Sequence, residues 1–296
     1  MPSPEHEAVV KAIIESLRSV TATTLEEQRQ AYDTRLGAHS IAEGVTSTPG
    51  MIDHIPIEWL EPENPKGTIL HLHGGGYSSG SIVAFRAFCS SVAKHTQCRV
   101  CLVEYRLAPE QPFPAAVDDA LLAYRWLLEH ENLEPAEIAI SGDSAGGGLA
   151  LATLINAKRN LLPLPSCASV LSPWTDLSNG GETMPTGRID DPILTKESAD
   201  ALAQLYCTPE ELANPLVSPL HGDLEGLPPI QIQVGTRETL LDDSRRFATR
   251  ARNAGVEVDQ FEGEDLIHVW PLIAPHAPEA AEAFARMGAF VSKHIR

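Results

Sequence analysis

The strongest constraint on this chain is an alternation. Short apolar segments occur at 67–73 (GTILHLH), 99–105 (RVCLVEY), 137–141 (EIAIS), 166–171 (SCASVL), 229–234 (PIQIQV) and 256–261 (VEVDQF), each bounded by Gly, Pro or polar turns. Such short apolar runs are typical of strands covered on both faces. Helical periodicity marks 84–94, 115–130, 145–159, 240–254 and 278–294. Strands alternating with helices predict an α/β fold, with a mostly parallel sheet and helices on both sides.

Three stretches stand outside this rhythm. Residues 5–35 read as helical, with Ile13, Ile14, Leu17 and Leu25 on the apolar side. Residues 51–60 (MIDHIPIEWL) alternate only partly, as a strand would. Residues 174–227 hold many turn signals and one helix near 195–206. The last stretch reads as an insertion, expected to pack with the N-terminal helices as a lid. A chain of 296 residues, 43% of them apolar, can bury one large core.

Charge narrows the partners. With 22 Lys+Arg against 40 Asp+Glu, the net charge is −18. Long-range repulsion then opposes nucleic acid and anionic membranes. No run approaches the ~18 apolar residues of a membrane span. The opening MPSPEHEAVVKAIIESLRSV reads as an amphipathic helix rather than a signal peptide, so a cytoplasmic location is the default expectation. The five cysteines do not suggest a disulfide framework. Cys98 and Cys101 lie three apart on one strand and so face opposite sides, which favours structural thiols over a redox or zinc pair.

The sharpest local signal is Gly142-Asp143-Ser144-Ala145-Gly146, a G-x-S-x-G between a buried strand and a helix. In that context the serine sits on a tight turn with its hydroxyl raised above the sheet. The helix N-terminus behind it turns N–H groups toward developing negative charge. A bare strand-to-helix turn with incidental glycines is the plainer reading, and the strand-turn-helix context weighs against it.

A second motif follows the first strand: His73-Gly74-Gly75-Gly76. Acyl transfer needs donors where the oxyanion forms. The amides of Gly75, Gly76 and Ala145 are the candidate donors, with His73 expected to brace the loop. Asp143 is expected to brace the elbow or line the pocket.

A serine nucleophile needs a base, and α/β-hydrolases run nucleophile, acid, histidine along the chain. His268 in VDQFEGEDLIHVW fits, with His276 and His294 as competitors. His221 precedes the next core strand and falls out of order. For the acid, Glu238 follows the 229–234 strand directly and is favoured, while Asp242 and Asp243 fall in the next helix and remain alternatives.

Taken together, His73-Gly74-Gly75-Gly76, YRLAPEQPFPAAVDDA (105–120), Gly142 to Gly147, SPWTDL (172–177), DPIL (191–194) and IHVW (267–270) resemble the hormone-sensitive-lipase family of bacterial esterases. The resemblance runs from about residue 67 nearly to the end. It implies an eight-stranded α/β-hydrolase core, one domain over 1–296, capped by about 1–45 and part of 180–225. It implies hydrolysis of short-chain carboxylic esters by Ser144, His268 and Glu238, with no metal or organic cofactor. It also implies a possible homodimer through the last strand, near 256–261. The family usually carries aspartate where this chain has Glu238. An amide hydrolase or deacetylase uses the same machinery, a long-chain lipase fits the acidic chain less well, and a ligand receptor on this fold tends to lack the histidine.

Overall fold

The computed structural model describes residues 1–17, 24–184 and 191–296. Eight strands form one sheet: β1 (Val45–Ile52), β2 (Ile55–Pro62), β3 (Thr68–Leu72), β4 (Arg99–Val103), β5 (Ile138–Asp143), β6 (Cys167–Leu171), β7 (Ile230–Gly235) and β8 (Val258–Gly263). Their order across the sheet is β1-β2-β4-β3-β5-β6-β7-β8. β1 and β2 pair antiparallel, as do β2 and β4, and the remaining neighbours are parallel. This is the α/β-hydrolase architecture expected.

The helices are α1 (Pro4–Leu17), α2 (Leu25–Leu36), α3 (Ile82–Thr96), α4 (Ala115–Glu129), α5 (Ser144–Arg159), α6 (Lys196–Tyr206), α7 (Leu241–Asn253), α8 (Trp270–Ile273) and α9 (Pro278–His294). The period of two along each strand divides the core between the faces. Leu70, Leu72, Cys101, Val103, Ile140, Val170 and Ile232 join a cluster with α4, α5 and α7. Ile69, Val100, Leu102, Ala139 and Cys167 join another with α3 and α9. Both faces are buried and largely apolar, which is why most of the strands read as runs; the exceptions on the α9 side, Gln231 and Gln233, are bonded to carbonyls of α9.

The N-terminal third departs from expectation. The segment 51–60 is not one strand but the turn of a hairpin, with Asp53 at φ 53° between β1 and β2. β1 (VTSTPGMI) carries Pro49 and Gly50, and only its last two residues fall in the stretch read as a strand. It is an edge strand paired on one side only, where a missing N–H costs little. The stretch 5–35, read as helical, holds α1 and α2, and its middle at 18–23 lies outside the described residues, as does 185–190 of the insertion. Thr24 and Glu27 form a capping box that fixes where α2 begins. All five cysteines are free and buried, and burial pushes the Cys98 thiol up to about 11. Among the described residues, no helix is long and apolar enough to cross a membrane.

Candidate active site

The loops after β3, β5, β6, β7 and β8 meet at the carboxyl ends of the parallel strands, where sites form in such sheets. Ser144 opens α5 with φ 53°, a left-handed backbone that a non-glycine residue adopts at a cost of order 1–3 kcal/mol. A side chain on Gly146 would run into the carbonyls of Leu72 and His73, so only glycine lets the elbow lie against the oxyanion loop. The Trp174 amide donates to the Ser144 carbonyl at 2.9 Å and ties the elbow to the segment after β6.

His268, between β8 and α8, has Nε2 2.9 Å from Ser144 Oγ. Its Nδ1 lies 2.8 Å from Glu238 Oε2. Glu238 is fully buried, and its other oxygen accepts from the Ser172 hydroxyl at 2.9 Å and from the Gly235 amide. With Nδ1–H donated to the carboxylate, Nε2 is left to accept the serine proton. Burial pulls the imidazolium down, but the hydrogen bond and charge of Glu238 outweigh it and hold His268 above its ordinary value. Burial raises Glu238 above the usual carboxylate range, against the opposing hydrogen bond from His268.

The other candidates lie elsewhere. Asp243 is buried and accepts from the amides of Thr175 and Asp176 at 2.7 and 2.9 Å, and burial pushes it up to about 7. Asp242 accepts from the Glu182 amide. His276 faces His39 with ring centroids 5.6 Å apart, and His294 lies 3.9 Å from Glu257. His221 sits 3.7 Å from Asp176.

The candidate oxyanion loop lines the same cavity as Ser144 and His268. Gly75 and Gly76 line it at φ 118° and 63°. Ala145 is buried in the first turn of α5. His73 donates from Nδ1 to the Gly74 carbonyl at 2.8 Å and stacks on Tyr105 at 4.3 Å. Tyr105 in turn donates to the His73 carbonyl. Burial drops the His73 pKa to about 4, so it stays neutral. Asp143 accepts from the Gly74 amide at 3.1 Å and so joins elbow to loop. His71 lies 2.8 Å from Ser141 Oγ, inside the sheet.

Three contributors carry no role in the sequence reading. Ser172, at φ 47°, donates to Glu238 and accepts from the Val269 amide at 3.1 Å, so one hydroxyl spans the acid and histidine loops. Trp174 lines the cavity, which measures about 270 Å³. Asp191 accepts from the amides of Ile193 and Leu194 on one oxygen and from Thr239 on the other, at 2.8–3.1 Å. Thr239 Oγ1 returns a bond to the Leu194 carbonyl. Ser172 and Asp191 stand inside SPWTDL and DPIL, so the motifs flagged them, but only the folded chain shows what they join.

Asp191 thus locks two cavity-lining residues, Ile193 and Leu194, to the residue after Glu238. Its charge also favours the imidazolium of His268. Asp191→Ala is expected to lower kcat/KM about ten- to a hundredfold through misplacement. The acid limb of the pH profile should move to lower pH, because a charge that raises His268 is gone. Steady-state kinetics across pH checks both, and an unmoved profile with native kcat/KM refutes the role.

Residues 69–272 match a family model described as alpha/beta hydrolase fold. An acetyl-hydrolase of Streptomyces hygroscopicus is 38% identical over 295 residues, 98% of this chain and 97% of that protein. The crystal structure of an esterase from the bacterial hormone-sensitive lipase family is 41% identical and superposes with a TM-score of 0.95 over 100% of both chains. That of EstE5, soaked by p-nitrophenyl butyrate, is 35% identical with a TM-score of 0.92 over 99% of each. With the fold, the family match and full-length relatives in agreement, the chain belongs to the α/β-hydrolase family, among the bacterial hormone-sensitive-lipase esterases.

Proposed function

We propose that this carboxylic-ester hydrolase works through a Ser144-His268-Glu238 triad and an acyl-enzyme intermediate, on esters with short acyl chains. The observation that carries the reading is the unbroken chain of contacts from Glu238 through His268 to Ser144, at 2.8 and 2.9 Å. His268 takes the Ser144 proton as the hydroxyl attacks the ester carbonyl. The amides of Gly75, Gly76 and Ala145 receive the oxyanion, where one donor is worth ~3 kcal/mol of barrier. His268 then passes the proton to the leaving alcohol. Water, deprotonated by the same imidazole, attacks the acyl-serine and releases the acid. Glu238 keeps the imidazole in the required tautomer and stabilises its charged form.

The short-chain preference rests on the cavity. At about 270 Å³ it falls below the ~300–1,000 Å³ of ordinary ligand pockets. Leu202 of α6 stands directly over Gly76 and limits the depth. In this reading α1, α2 and the segment around α6 form a cap over a single catalytic domain. The p-nitrophenyl butyrate soak of the EstE5 relative points to an acyl length of the same order. A panel of p-nitrophenyl esters from acetate to palmitate tests this. Expected is a kcat/KM maximum at two to six acyl carbons with a fall of at least about tenfold by twelve. A maximum at long chains refutes the short-chain assignment.

A further inference from the structure

The cavity has two unlike walls. Ile193, Leu194, Leu202 and Leu272 make one side apolar. The other is a polar stripe from α2: Gln28, Tyr32 and Arg35, spaced four and three apart and so on one helix face. Among the described residues, none of these three side chains has a hydrogen-bond partner or a carboxylate. Tyr32 rests its ring on Phe85, and Arg35 lies over the Tyr32 ring at 5.7 Å. Arg29, on the same helix, is different: Glu110 holds it by two bonds of 2.7 Å. Arg35 is thus a solvent-exposed cation at the rim of the cavity, with no protein acceptor among the described residues, on a chain whose net charge of −18 repels anions at long range.

We infer that the native substrate carries a carboxylate on one limb of the ester and that Arg35, aided by Tyr32 and Gln28, receives it. A guanidinium presents a planar fork of donors that matches a carboxylate, and charge-assisted bonds of this kind are about twice as strong as neutral ones. A plain alkyl ester leaves the exposed Gln28 and Arg35 to water, whereas a carboxylated limb gives the guanidinium a charged acceptor at the cavity rim. An ester with one apolar and one carboxylated limb meets both walls. The class comprises monoesters of dicarboxylic acids, where the charge is on the acyl limb, and O-acylated hydroxy acids, where it is on the alcohol limb. The inference rests on the ester-hydrolase reading above.

Two matched pairs distinguish the limbs by proton release in a pH-stat. Monoethyl glutarate is compared with ethyl pentanoate, and 3-(butyryloxy)propanoate with propyl butyrate. The readout is the ratio of kcat/KM for the anionic ester to that for its neutral match. One of the two ratios is expected at or above unity in the native enzyme. Arg35→Gln should lower that ratio five- to tenfold, and Arg35→Lys should recover at least half of the loss on a logarithmic scale. Ratios well below unity for both pairs, or a ratio that Arg35→Gln does not move, overturn the inference. Absence of turnover on all four esters by the native enzyme would instead sink the ester-hydrolase reading itself.

Discussion

Ser144→Ala is expected to lower kcat on p-nitrophenyl acetate by about five orders of magnitude while leaving the fold intact. The hydroxyl lies 2.9 Å from His268 Nε2, within reach of proton transfer. Without it no acyl-enzyme forms, and the oxyanion amides have no tetrahedral adduct to hold. The backbone cost of φ 53° is the same for alanine as for serine, so stability should stay within about 1 kcal/mol of native. Burst kinetics and thermal unfolding on the same preparation check the two halves. Native-like turnover in a folded variant would remove Ser144 from the mechanism.

The second large effect is expected at the acid. Glu238→Gln should lower kcat about 10⁴-fold. The native contacts dictate how the amide sits. Its oxygen stays with the Ser172 hydroxyl and the Gly235 amide, both donors, so its NH₂ faces His268 Nδ1. That nitrogen must then accept, and the ring proton moves to Nε2, where it points at Ser144. The base is lost without any change of shape. The pH dependence follows with a definite sign. In the proposed mechanism His268 works unprotonated, and Glu238 holds its pKa above the ordinary value, so native kcat/KM is expected to fall as pH drops through that raised pKa. Removing the carboxylate removes the cause, and the residual activity of the variant should persist to lower pH. Asp242→Asn and Asp243→Asn, which alter carboxylates bonded to Glu182 and to Thr175 and Asp176, should stay within about tenfold of native. If an aspartate variant collapses while Glu238→Gln does not, the acid is misassigned.

The legible parts were those governed by local pattern. The inner parallel strands announced themselves because residues such as Ile69 and Leu70 are both apolar, each facing a different helical layer. Ser144 was legible because its turn tolerates so few residues: a Cβ at 142 or 146 collides with backbone. β1 was not, since an edge strand with Pro49 needs neither an apolar face nor a full set of N–H groups. The helical reading of 5–35 holds for α1 and α2 within the described residues.

The sequence by itself determined the fold class, the place of the serine proposed as nucleophile and the order in which a candidate base and acid follow it. Those depend on strand periodicity, on steric crowding at one turn and on chain topology, all of which act over a few neighbouring residues or along the chain. Only the tertiary structure decided between Glu238 and its two aspartate neighbours as the partner of His268. Separations of four and five residues look nearly equivalent on paper. In space one carboxylate stands at the end of β7 facing the imidazole, while the others turn away into the start of α7. Ser172 and Asp191 needed it for the same reason: each joins loops brought together by the sheet, and long-range hydrogen bonds leave no local trace. The polar stripe of Gln28, Tyr32 and Arg35 is the last such case. Its spacing is written in α2, but its meaning depends on the cavity it overlooks.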